Sequence, residues 1–305
     1  MPSLPASLTR RQLLIGGGAA LGAVLLGACG GDDDDPAPAA GDPGSSDGGD
    51  GAAAGLVLVQ FFGGPMFTPG QVRLPFGLGD VDGLIPTERT PEQLTVTVLD
   101  PDGRALGDPV TVARHAEGLP RAYFPYETSI DAPGFYTLQA EAEGETLELS
   151  FQVHEPSQVQ VIQPGAALPA IATPTVTDAH GVDPICTNDP VCSLHEVTLE
   201  EAVGAGQPVA LLVSTPAFCQ LAICGPVLDV LLEVAPSFPD VRFLHTEVFA
   251  DPYESLDRYA PVVDALGLHF EPCLVLADAT GTVVRRLDTI YDKTELEAAL
   301  NALVA

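Results

Sequence analysis

Six cysteines carry most of the chemistry that this 305-residue chain offers. Cys219 and Cys224 enclose four residues (QLAI), Cys186 and Cys192 enclose five (TNDPV), and Cys273 directly follows Pro272. A thiolate can act as a nucleophile, a disulfide partner or a soft-metal ligand. On a regular helix, residues three apart have Cα atoms roughly 5 Å apart, whereas five apart gives roughly 8–9 Å on opposite faces. The second distance exceeds the bridging limit of about 7 Å, so a Cys219–Cys224 disulfide requires the segment to leave helical geometry. Gly225-Pro226 allows that, because proline suits the first position of a following helix. The Cys186–Cys192 loop contains Asp189-Pro190 and suits a local structural bridge. Cys186, Cys192 and His195 also suggest a metal, but no fourth ligand stands at zinc-type spacing, so none is expected. His245 and His269 are candidate ligands by location only, and His115 and His154 stand alone as expected surface residues.

The elements that must position these thiols fall into two patterns. Across 56–155, Leu94, Val96 and Val98 alternate with polar residues, as do Leu147, Leu149, Phe151 and Val153, the period of half-buried strands. Asp100-Pro101-Asp102-Gly103 and Glu143-Gly144 supply turns between them. Asp131–Tyr136 resembles the tyrosine corner of immunoglobulin-like sandwiches, which implies an all-β Ig-like fold here. Residues 156–193 are proline-rich and expected to be extended. From 194 to 305 the pattern alternates α and β. Thr198 and Glu201 form a capping box, Pro208–Ser214 is a strand covered on both faces, and Pro226–Ala235 is an amphipathic helix. Strands at Val241–Val248, Leu274–Ala277 and Val283–Leu287 and helices at Ala260–Leu266 and Thr294–Val304 follow.

That order resembles the thioredoxin superfamily over roughly 195–305. A buried strand runs into Thr215-Pro216-Ala217-Phe218-Cys219, a helix carrying Pro226 follows, and Phe270-Glu271-Pro272-Cys273 is similar to the family's cis-proline strand. The departures are the widened Cys219–Cys224 spacing, in place of two intervening residues, and the missing buried acid, since Val213 falls at its position. An alternative register sets Cys224-Gly225-Pro226-Val227 on the family's active-site motif. The resemblance implies that Cys219 attacks, Cys224 resolves, Pro272 shapes a client groove and Cys273 lies close enough to form a three-thiol cluster. No Lys or Arg lies between Arg121 and Arg242, so helix amides are expected to stabilise a Cys219 thiolate.

The N-terminus reads as an export signal. Arg10-Arg11 precedes an apolar run too short to span a bilayer well. Thr9–Leu14 resembles a twin-arginine box, and Leu26-Gly27-Ala28-Cys29 resembles a lipobox. Residues 1–28 would then be the signal and Cys29 the acylated anchor, followed by a disordered acidic linker over 29–55. Removing 1–28 takes away Arg10 and Arg11 and no acid, which deepens a net charge of −30 by two and argues against a nucleic-acid binder. With Cys29 acylated, five cysteines remain, so at least one is unpaired. The expected function is a membrane-anchored extracytoplasmic thiol–disulfide oxidoreductase acting on client proteins with disulfides and using no cofactor. The alternatives are a thioredoxin-like copper-delivery protein and a redox-inactive scaffold.

Overall fold

A computed structural model describes residues 55–219 and 221–305; Arg10, Arg11, Cys29 and nearly all of the 29–55 linker lie outside the described residues. The chain between 56 and 155 forms two antiparallel sheets. In the first, β2 (Gly70–Asp80) pairs with β1 (Val57–Gln60), β3 (Gly83–Leu84) and β6 (Phe124–Ile130). The second has the order β5 (Val110–Ala113), β4 (Gln93–Leu99), β7 (Gly134–Ala142), β8 (Glu145–Val153). Alternate residues of both sheets, among them Leu74, Phe76, Val96, Leu138 and Phe151, meet in one core. This β-sandwich follows from the period-2 pattern. Glu143 and Gly144 both have positive φ, which suits the tight turn joining β7 to β8. The Tyr136 hydroxyl donates to the Ala132 carbonyl at 2.8 Å, tying the corner before β7.

The rest is built on a mixed sheet. Its strands are β9 (Val209–Val213), β10 (Arg242–Thr246), β13 (Cys273–Ala277) and β14 (Val283–Asp288), in the order β10-β9-β13-β14. β10 runs parallel to β9, whereas β13 is antiparallel to both β9 and β14. On one face, Leu212, Leu274 and Leu276 pack against α2 (Cys224–Val234) and α4 (Lys293–Val304). On the other, Leu211, Val213, Cys273 and Val275 pack against α1 (Leu199–Ala202) and α3 (Pro261–Ala265). The Thr198–Glu201 capping box closes the start of α1. A short hairpin, β11 (Phe249–Asp251) with β12 (Ser255–Tyr259), follows β10. The proline-rich segment lies along the sheet edge: the amides of Ile162, Gly165 and Leu168 donate to Leu266, Val283 and Gly281. Among the described residues no helix is long and apolar enough to cross a membrane.

The described residues from 55 onward form one compact unit, and buried polar contacts join the sandwich to the mixed-sheet half. Arg73 of β2 is ion-paired with Glu295 of α4, and both are buried. The Arg73 guanidinium also donates to the backbone carbonyls of Asp288 and Ile290. Tyr123 donates to Glu295 at 2.6 Å and accepts the Asp292 amide at 2.9 Å. His115, expected at the surface, instead sits 2.8 Å from Asp292, the residue that caps α4.

Candidate functional site

The segment between β9 and α2 carries Cys219, and Cys224 opens α2. The segment leaves helical geometry at Ala222, whose φ is +53°, and the Ala222 amide donates to the Cys219 carbonyl at 3.2 Å. The break therefore comes upstream of Gly225-Pro226. α2 already begins at Cys224, and Pro226 sits in its first turn, where amides have no helical acceptor anyway. This reversal brings the Cys224 amide to 3.4 Å from Cys219 Sγ. Cys219 is half-buried and Cys224 fully buried.

Their environments differ in kind. A hydrogen bond from the Cys224 thiol, with the amides of Cys224, Ile223 and Leu221, brings Cys219 down to about 5. Burial, then its hydrogen bond to Cys219, pushes Cys224 far up. Behind Cys224 stands Glu271, 3.6 Å from its sulfur. Burial, and after it the negative charge of Cys219, raises this carboxyl to about 8. Val213 brings no acid here; the buried carboxyl beside Cys224 is that of Glu271, on the approach to β13. Cys219, Cys224 and Glu271 place one potential ligand atom each within 4.8 Å of the others.

Cys219 opens on a cleft of about 670 Å³. One wall is Gln60–Gly64 of the sandwich; Val248, Phe249, Tyr259 and Phe270 supply apolar surface opposite, with Leu221 exposed at the rim. His269 Nε2 lies 3.1 Å from the Gly63 carbonyl across this cleft. Gly64 has φ +71°, which favours glycine, and a Cβ there would stand 2.6 Å from His269 Nε2 and push that ring aside.

Two expectations for this site change. Cys273 does not join the cluster: it sits on the sheet face opposite α2, fully buried, with its thiol 3.4 Å from Asp288. Burial and the Asp288 charge push it up, which leaves it a poor nucleophile. Pro272, preceded by a cis peptide bond, is itself buried, and its carbonyl accepts from Thr289. The groove is lined instead by Phe270 and Glu271.

A second cluster stands apart from the first. Cys186 and Cys192 are not bridged; both sulfurs turn toward imidazoles. Cys186 Sγ is 3.6 Å from His245 Nδ1, and Cys192 Sγ is 3.5 Å from the same atom and 3.3 Å from His195 Nε2. The two ring nitrogens are 3.4 Å apart. All four side chains are buried. His245 comes from β10, 53 residues after Cys192, and no local spacing could have announced it. Thr187 ties this loop to the first site: its hydroxyl accepts from the Ala217 amide, and its own amide donates to the buried Glu247.

No protein-family model matches the chain, and no curated protein does. Among solved structures, Escherichia coli alpha-2-macroglobulin activated by porcine elastase is similar at 21% identity over 40% of this chain, with a TM-score of 0.25; the chain spans about a tenth of that protein's length. The Lin-41 filamin domain is similar at 18% identity over 33% of this chain and 94% of that domain, with a TM-score of 0.23. The PKD domain of the human receptor SorCS2 is similar at 15% over 39% of this chain and 98% of that domain, with a TM-score of 0.20.

Proposed function

We propose that this chain is a membrane-anchored, extracytoplasmic thiol–disulfide oxidoreductase of thioredoxin-like type acting on protein disulfides, with Arg10-Arg11 directing export and Cys29 carrying the lipid. The observation that carries the reading is the asymmetry of the thiol pair: an accessible Cys219 held as thiolate in an apolar cleft, and an enclosed, protonated Cys224 in contact with it. The mixed sheet, with Cys219 ahead of α2 and Cys224 at its start, supports the fold assignment.

In the first step the Cys219 thiolate attacks one sulfur of a client disulfide. A Cys219–client bond forms, the client S–S bond breaks, and the second client sulfur leaves as thiolate. The negative charge that raised Glu271 disappears with that bond, so Glu271 ionises more readily. Its carboxylate takes the Cys224 proton, the Cys224 sulfur attacks Cys219, and the client leaves as a second thiolate. Two electrons have moved to the client, and Cys219–Cys224 is the disulfide left behind.

Cys224→Ala should accumulate mixed disulfides with clients and Cys219→Ala should accumulate none, read by non-reducing electrophoresis. Because Cys273 is enclosed and bonded to Asp288, the Cys224→Ala/Cys273→Ala variant should trap no more than Cys224→Ala. Absence of trapping in every variant would leave the redox-inactive scaffold. A copper reading draws on the approach of Cys219, Cys224 and Glu271; it requires Cu(I) binding lost in either cysteine variant, with little exchange.

A further inference from the structure

The geometry points to a zinc ion held by Cys186 Sγ, Cys192 Sγ, His195 Nε2 and His245 Nδ1 as a closed structural site. Zinc bonds of about 2.3 Å to sulfur and about 2.05 Å to nitrogen, set tetrahedrally, require edges of about 3.6 Å between sulfur and nitrogen and about 3.3 Å between nitrogens. The protein presents 3.6, 3.5 and 3.3 Å for three of its four sulfur–nitrogen edges and 3.4 Å between the imidazoles, and all four donor atoms lie within 4.8 Å of one another. These four edges thus match those of a zinc tetrahedron.

The surroundings fix the donor atom of His245. His245 Nε2 lies 3.2 Å from the Ser214 carbonyl and 3.0 Å from its hydroxyl. A carbonyl only accepts, so Nε2 carries the hydrogen and Nδ1 turns a lone pair toward the sulfurs, the outer-shell arrangement typical of ligating histidines. Two thiolates also neutralise a divalent ion, which permits complete burial. Four ligands leave no open position, so the ion does not bind substrate. Copper(I) handed between proteins would need an approach to the metal, and the enclosing ligands, from 1 to 7% exposed, give none. The ion's effect is to fasten the Cys186–His195 loop to β10. Through Thr187 that same loop meets the backbone ahead of Cys219.

Full-length protein purified without chelators should contain stoichiometric zinc by plasma mass spectrometry. Cys192→Ser and His245→Ala should each weaken zinc affinity by more than about tenfold, since even outer-shell changes cost that much, and purify with substoichiometric zinc. Cys219→Ser should keep it, whether or not the chain exchanges thiols. Because a ligand variant can misfold, the wild type provides a second test: reloaded with cobalt(II), it should show the visible absorption of a tetrahedral sulfur–nitrogen site, abolished by added zinc. A wild-type protein free of zinc, with Cys186 and Cys192 mapped to one disulfide, overturns the proposal. So does copper in zinc's place, or zinc retained in both ligand variants.

Discussion

Cys219 gains its acidity from a thiol and three amides rather than from a cation. The source of the shift sets a test. Alkylation of Cys219 by iodoacetamide should titrate with a midpoint near the value of about 5, and Cys224→Ala should move that midpoint upward, because the largest stabilising contact is gone. Glu271 has a separate signature. Its carboxyl accepts a proton only when ionised, so decay of the mixed disulfide should slow as pH falls below the carboxyl's titration, starting from about 8 in the free thiol form. Glu271→Gln should flatten that profile while leaving the first attack, measured by single-turnover mixing, unchanged. Residue types alone could not disclose this carboxylate: Val213, at the end of β9, suggested that no acid was present, and Glu271 reaches Cys224 from 47 positions away. The same limit left His245 a candidate by location only and hid its grouping with Cys186, Cys192 and His195.

Elements whose signal is local were readable. The continuous run at β9, the capping box of α1 and the Glu143-Gly144 turn each depend on neighbours within a few residues. The β11–β12 hairpin was not, because strands of three and five residues leave too short a period to detect. The widened cysteine motif required a departure from the helix, and it is met at Ala222, not at Gly225, the residue before Pro226. An alanine in left-handed conformation costs about 1 kcal/mol relative to glycine. Ala222→Gly should therefore raise the unfolding free energy by up to about 1 kcal/mol, less the greater entropy lost by glycine, and Ala222→Val should lower it. Denaturant titration of both variants reads the sign directly.

At the scale of the molecule, a buried polar network joins the sandwich to α4. Removing one partner of such a pair leaves a charge unmatched, so Arg73→Met should cost about 3–5 kcal/mol. Neighbouring His115 and Asp292 add a pH dependence. Burial lowers His115, but its hydrogen bond to Asp292 and the nearby charges outweigh this and raise it. Burial likewise raises Asp292, yet the bond from His115 and the Glu295 amide leave it lowered. The histidine's contribution is complete below about 6.5 and is lost as pH rises through its raised folded value. The aspartate's is complete above about 3.9 and is lost as pH falls through its lowered one. Melting temperature should therefore gain most from this pair between those limits, and His115→Gln should remove the alkaline decline. The cleft beside Cys219 takes one wall from each half of the chain, with Gly64 seated against His269. Its two sides thus depend on each other: a gene fusion that exchanged the sandwich for a foreign one would keep the thiols and discard one wall of the cleft they open on.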